Sequence, residues 1–238
     1  MTPDSVATPA SVAVLVSGGL DSAILTGRLL QTEASVQPIY ISTALAWEAA
    51  ELFYLRRFLE AIQSPGLRQL KVLQQPTADL YEGHWSVTGA DVPDASTPDE
   101  AVYLPGRNPL LLVKAAIWCR LHEIAKLALA PLGSNPFPDA TPEFFDGFGR
   151  LMSQATGGPI EILRPFAGLH KREVMELGKD LPLERTFSCI HPVGMDHCGT
   201  CNKCAERRGA FAAAGLPDPT RYASDLNADE QPIADKNH

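Results

Sequence analysis

The feature that most constrains this chain is the stretch Val12-Ala13-Val14-Leu15-Val16-Ser17-Gly18-Gly19-Leu20-Asp21-Ser22-Ala23-Ile24-Leu25-Thr26-Gly27-Arg28-Leu29-Leu30. An apolar, β-branched run of strand length breaks at Ser-Gly-Gly and resumes with apolar residues at helical spacing, which predicts strand, tight turn and helix. The paired glycines, Gly18 and Gly19, let the backbone approach a ligand closely. The N–H groups of the turn and of the first helical residues, from Leu20 onward, then point outward without partners, as an anion such as phosphate requires. Ser17 and Ser22 add hydroxyl donors on either side. Asp21 repels a phosphate unless a cation lies between them, so it reads either as a magnesium ligand or as a helix cap. A glycine turn with an ordinary Ser or Asp cap explains any one of these residues, but it explains the whole hexapeptide less well. The turn is neither the GxxxxGK[ST] P-loop, because no lysine follows the glycines, nor the GxGxxG dinucleotide fingerprint.

Strand and helix signals keep alternating after this point. Ser35–Ser42 predicts a second strand, with Pro38 at its beginning or on an edge. Apolar residues at helical spacing run from Ala44 to Ile62, and Leu70–Leu73, Leu127–Ala130 and Ile160–Phe166 predict three further strands. Crossovers between parallel strands are right-handed, so the pattern predicts an α/β fold with an open, doubly wound, mostly parallel sheet. Ligands in such sheets lie beyond the carboxyl ends of the strands, where Ser17–Ser22 and the end of Ile39-Tyr40-Ile41 both fall. Residues 76–100 are rich in Pro, Gly, Asp, Ser and Thr without a sustained period, and predict a long loop, a surface insertion or a lid.

The length of 238 residues fits one domain with a small appendage, divided here as leader 1–11, α/β domain 12–180, metal-binding segment 181–216 and flexible tail 217–238. With 28 acidic against 20 basic residues the net charge is −8, so no broad basic surface is expected and stable nucleic-acid binding is not predicted. No apolar run reaches the roughly 18–20 residues that span a bilayer. Met1–Ser11 carries no basic residue and no apolar segment of signal-peptide length, and reads as the disordered leader of a cytoplasmic protein.

Three later stretches carry chemistry. In Leu104-Pro105-Gly106-Arg107-Asn108-Pro109, Asn108 predicts a cap for a helix starting at Pro109, and Arg107 adds a planar fork of donors to a helix end already suited to anions. A surface ion pair is the plain alternative for Arg107. In Phe137-Pro138-Asp139-Ala140-Thr141-Pro142-Glu143-Phe144, Asp139, Thr141 and Glu143 read first as local caps. Lys171 opens a helix that runs toward Gly178; a cation there opposes the helix dipole unless it meets a ligand, Glu173 or another carboxylate. Cys119 reads as a buried thiol. The other four cysteines, Cys189, Cys198, Cys201 and Cys204, are spaced C-x8-C-x2-C-x2-C. Clustering of this kind without a secretory signal predicts metal ligation: a closed zinc site, or an iron–sulfur cluster on the same residues. His191 and His197 read as surface histidines or spare ligands. A closed four-sulfur shell leaves no position for substrate, so the metal is expected to be structural.

The turn SGGLDS resembles the pyrophosphate loop of the PP-loop, or N-type, ATP pyrophosphatases. SGGLDS, PGRN, PDATPEF, HKREVMELG and C-x8-C-G-x-C-x-x-C-x-x-R follow one another in the order found in the 7-cyano-7-deazaguanine synthases of queuosine biosynthesis. That resemblance runs from about Val12 to Phe211. It implies that Mg2+ and ATP meet Val16, Ser17, Gly18, Gly19, Leu20, Asp21 and Ser22, with Ile41 as a wall for adenine. It implies catalytic roles for Ser17, Asp21, Ser22 and Lys171, substrate contacts from Arg107, Asn108 and Asp139, and zinc on the four cysteines. The implied reaction activates a small-molecule carboxylate, 7-carboxy-7-deazaguanine, as its adenylate. Ammonia then gives the amide and a second activation the nitrile, in a cytoplasmic homodimer. Two departures stand out: Thr141 lies where the family pattern has arginine, and Thr43-Ala44-Leu45-Ala46-Trp47-Glu48 replaces a G-Q-R-H type run. They keep open a relative that adenylates another carboxylate, on a small molecule or a protein C-terminus. A non-catalytic nucleotide-binding or zinc-ribbon module is opposed by the intact Ser17, Asp21 and Ser22.

Overall fold

The structure, a computed structural model, describes residues 11–228; the leader up to residue 10 and residues 229–238 of the predicted tail lie outside the described residues. Five strands, β1 (Val12–Leu15), β2 (Val36–Ser42), β3 (Lys71–Gln74), β4 (Lys126–Ala128) and β5 (Glu161–Leu163), form one sheet in the order β3-β2-β1-β4-β5. Every pairing among them is parallel, with Leu15 opposite Ile39, Ala13 opposite Leu127, Ile39 opposite Lys71 and Leu127 opposite Ile162. The strand order reverses between β1 and β4, which opens a crevice at their carboxyl ends.

The helices are α1 (Leu20–Thr32), α2 (Glu48–Ala61), α3 (Ala78–Tyr81), α4 (Trp85–Thr88), α5 (Arg107–Leu121), α6 (Pro142–Thr156), α7 (Lys171–Leu177), α8 (Asn202–Ala214) and α9 (Ala223–Ala228). Side chains alternate across a strand, so β1 sends Val12 and Val14 to one face and Ala13 to the other. The first face is covered by α1, α2, α7 and α8 through Ile24, Leu25, Phe58, Val174, Met175 and Phe211. The second is covered by α5 and α6 through Leu112, Ala116, Phe145 and Met152, with Cys119 fully buried among them. Because Ala210 and Phe211 belong to the same apolar cluster as β1 and α1, segment 181–216 is packed into the α/β body. A third cluster, with Leu45, Trp47, Phe187, Ile190 and Tyr222 around the four cysteines, sits over the crevice.

Several expectations change. Pro38 is neither at the start nor on an edge: β2 lies between β3 and β1, and the β2–β3 ladder begins one residue later, at Ile39. Gln37 Nε2 donates to Gln69 O at 2.8 Å, so a side-chain amide supplies a donor beside the residue that has none. Residues 76–100 contain α3 and α4 and are not a featureless loop. Their distal part is strapped to the cysteine segment, with Ala95 N donating to Thr200 O and Asn202 N to Pro93 O, both at 2.9 Å. Helix α5 begins at Arg107 behind Gly106, and Asn108 lies inside its first turn and does not cap it. Residues 217–228 are not a loose tail, since Tyr222 is buried and Ser224 N donates to Cys198 O at 3.1 Å. Gly178 follows α7 with φ −101°, so no left-handed turn requires glycine there; a Cβ would strike Ile24 of α1.

Candidate functional site

Helix α1 has Gly19 at its N-cap position and no side chain capping it, so its first N–H groups face the crevice. The turn is braced internally: Ser22 Oγ donates to Gly19 O at 3.1 Å and accepts from Ser17 N at 3.2 Å, while Gly19 N donates to Ser17 Oγ at 3.3 Å. Gly18 has φ +78°, and a Cβ there would lie 3.1 Å from Glu51 O and 3.2 Å from Leu55 Cβ. Substituting Gly18→Ala is therefore expected to cost on the order of 1–3 kcal/mol in stability and to distort the turn, read as a lowered denaturant midpoint.

The turn opens into a cavity of about 370 Å3 at the carboxyl ends of β1, β2 and β4. Val16, Ser17, Gly19, Leu20, Asp21, Ser22, Ile41, Arg107, Asn108 and Lys171 all line it, so residues drawn from four separate stretches of sequence meet in one place. Gly18 and Asp139 do not line it. Gly18 packs behind the turn. Asp139 is buried, its carboxylate accepting from Asn108 N at 3.1 Å while its carbonyl accepts from Asn108 Nδ2 at 2.8 Å. It thereby holds the start of α5, and with it Arg107, against the cavity. Among the described residues the buried Nε of Arg107 has no hydrogen-bond partner, an orphaned donor of the kind an incoming anion satisfies. Thr141 caps α6 by accepting from Phe144 N at 3.2 Å.

Asp21 does not cap α1. Its carboxylate takes both Lys171 contacts, at 2.7 and 2.9 Å, and Lys171 also lies 3.4 Å from Glu206. Burial pulls the Lys171 pKa down, but Asp21 and Glu206 outweigh it and the net shift is upward, so the amine stays charged. Glu173, the other sequence candidate for this lysine, instead accepts from His170 N at 2.7 Å as part of a capping box.

On the opposite wall, beside Ile41, sequence reasoning missed Glu51. Tyr40 donates to Glu51 at 2.6 Å, and burial pushes the Glu51 carboxyl up to about 7 against the lowering influence of Arg107 and Tyr40. The available signal was a carboxylate one turn before Leu55 on the buried side of α2. A native state that binds this proton more tightly than the unfolded chain loses stability as pH rises from the ordinary carboxylate range through about 7. Glu51→Gln is therefore expected to flatten that slope and to raise the melting temperature at pH 8 more than at pH 5. Glu48 accounts for the unusual run beside it: its carboxylate accepts from Ser42 Oγ, Thr43 N and Ala44 N at 2.6–2.8 Å, fixing Ala44 at φ +62°.

The four cysteines converge. Their sulfurs all lie within 4.8 Å of one another, with Cys189–Cys201 at 3.8 Å and Cys198–Cys204 at 3.9 Å. Four thiolates on tetrahedral arms of about 2.3 Å stand about 3.8 Å apart, so the cage fits one metal ion. Backbone N–H groups of His191, Cys198, Gly199, Thr200 and Cys201 donate to these sulfurs at 3.3–3.4 Å, as thiolate ligands require. His191 is exposed as expected. His197 is not: it is 1% exposed, accepts from Ser188 N at 3.1 Å, and burial lowers its pKa to about 3, so it is a neutral part of the core. The cysteine segment reaches the turn directly through Phe187 N, which donates to Gly18 O at 2.8 Å. Arg207 is buried in the cavity wall and, among the described residues, donates to neutral oxygens of Thr186, Ser188, Thr220 and Leu183 at 2.6–3.2 Å.

Comparison with known proteins identifies the family. The profile of the family described as "Queuosine biosynthesis protein QueC" matches residues 11–215. The chain belongs to the QueC family. A 7-cyano-7-deazaguanine synthase of Methanothermobacter thermautotrophicus is 32% identical over 229 residues, covering 87% of this chain and 97% of that protein. One of Acidobacterium capsulatum is 30% identical, covering 88% and 95%. A solved NMN synthetase from Francisella tularensis aligns over 93% of this chain and 84% of its own with a TM-score of 0.41 and 14% identity, a likeness too loose to support an inference. The QueC family match spans both the glycine turn and the cysteine cage, so the two belong to one unit.

Proposed function

We propose that this QueC-family protein converts 7-carboxy-7-deazaguanine, ammonia and ATP to 7-cyano-7-deazaguanine. The observation that carries the proposal is the glycine turn opening, within a QueC-family chain, into a cavity that also receives Lys171, Arg107 and Asn108. The N–H groups at the start of α1 and the hydroxyls of Ser17 and Ser22 hold the pyrophosphate of ATP. Lys171 stabilises the charge that builds on it as it leaves. Arg107, kept in place through the Asp139–Asn108 contacts, orients an anionic oxygen of the substrate. That carboxylate oxygen attacks the α-phosphorus, the bond to the β-phosphate oxygen breaks, and an acyl adenylate and pyrophosphate result. Ammonia displaces AMP to give the amide and loses a proton. A second activation at the amide oxygen, followed by loss of AMP and a proton, leaves the nitrile.

Asp21, once Lys171 turns to phosphate, is the carboxylate suited to hold Mg2+, which neutralises phosphate charge. The four cysteines fit Zn2+, with a structural role. A cytoplasmic homodimer completes the proposal, and light scattering of the purified chain checks its oligomeric state. Incubation with ATP, ammonium and 7-carboxy-7-deazaguanine is expected to yield AMP or ADP and the mass of the nitrile. A second reading, adenylation of another carboxylate, is favoured by Thr141 serving as a helix cap where the family pattern has arginine. Nucleotide turnover only with a different acid selects it, and nucleotide binding without turnover in any mixture overturns both.

A further inference from the structure

Two helices bring a lysine to the cavity in their first turn. Lys171 opens α7 and Lys203 is the second residue of α8, and at both places a cation is disfavoured by the helix dipole. The two lysines converge on one carboxylate. Glu206 Oε2 lies 2.6 Å from Lys203 Nζ and Glu206 Oε1 3.4 Å from Lys171 Nζ, while Lys171 continues to Asp21 at 2.7 Å. All four charged groups line both the main cavity and an adjoining recess of about 190 Å3 under Asn135 and Phe137. The Lys203–Glu206 pair, three residues apart on α8 with side chains 29% and 36% exposed, is partly solvated and contributes on the order of 1 kcal/mol. Stability therefore does not explain why a lysine stands against the dipole at the mouth of a cavity, between two metal-binding cysteines.

We propose that Lys203 is a second phosphate-binding cation of the nucleotide site, held by Glu206 until a triphosphate enters. The inference rests on the nucleotide reading of the Ser17–Ser22 turn. The alternating charges Asp21, Lys171, Glu206 and Lys203 neutralise one another. A polyphosphate offers both lysines charge-assisted acceptors, and Glu206 is the counter-ion it displaces. Lys203 lies between Cys201 and Cys204, so its position depends on the metal centre, and α8 becomes part of the phosphate site as well as a clamp.

The test uses the full metal-loaded chain and calorimetry with three probes: an ATP analogue that cannot be cleaved between the α and β phosphates, pyrophosphate, and AMP by competition. Lys203→Met is expected to weaken the analogue and pyrophosphate by about tenfold or more, to leave AMP unchanged, and to be largely reversed by Lys203→Arg. Metal content and melting temperature show that the variants are folded. Unchanged affinity for the analogue, or an equal loss for AMP, overturns the assignment. Glu206→Gln, which removes the competing charge, is expected to tighten the analogue several-fold, and an unchanged or weaker affinity overturns the counter-ion role. Wild-type protein that binds none of the three refutes the nucleotide reading itself, a result distinct from either variant outcome.

Discussion

Removing the metal, by a chelator or by Cys204→Ser, is expected to unfold residues 187–226 and to abolish ATP binding while the sheet stays protected. Structural four-sulfur zinc sites contribute on the order of 10 kcal/mol of apparent folding free energy, comparable with the whole stability of an ordinary domain. Here the coupling to the nucleotide site is explicit. Phe187 N donates to Gly18 O, Ser188 stands in the cavity wall, and α8, which starts at the cage, carries Lys203, Glu206 and Arg207 into the cavity. The α5–α6 face has its own apolar core and holds no cysteine ligand. Amide hydrogen exchange before and after chelation checks the prediction: protection is expected to vanish from 187–226 and to persist in β1, β2, α5 and α6. ATP binding that survives complete metal loss would show the two sites to be independent.

Asp21→Asn is expected to lower pyrophosphate release by a factor of about 100 or more while the fold is kept. The fold should survive because Asp21 makes no capping bond to α1; its contacts are those with Lys171 Nζ, and Lys171 retains Glu206. The activity should not, because a neutral amide neither exchanges Lys171 onto the phosphates nor holds a magnesium ion as a carboxylate does. Circular dichroism and melting curves check the first half, and single-turnover pyrophosphate release the second. Full activity in this variant would remove Asp21 from the reaction.

These two expectations also mark where sequence reading is strong. The Ser-Gly-Gly turn and the cysteine spacing are local patterns: residues within six positions of one another in the first, and within sixteen in the second, dictate the geometry and are close in space whatever the rest does. Element types follow for the same reason, since apolar period reports which side of a strand or helix will be buried. The places of Asn108 and Pro38 and the part played by Glu51 escape such reading because they are set by partners elsewhere in the chain. Asn108 reads as a cap until Asp139, 31 residues on, is seen to take its amide. Glu51 looks like an ordinary helix surface charge until the Tyr40 hydroxyl and the wall of the cavity close over it.

The sequence by itself determined a parallel α/β sheet, a glycine turn with outward-facing N–H groups after its first strand and a cluster of four cysteines that could hold a metal. Tertiary structure alone decided that Lys171 meets Asp21 across 150 residues, that Glu206 stands between two lysines, that His197 is core, and that residues 217–228 are bound to the cage. The division has one physical cause. Backbone conformation and hydrophobic period are encoded over a few neighbouring residues, whereas burial and charge pairing are properties of surfaces that exist only after distant segments have packed.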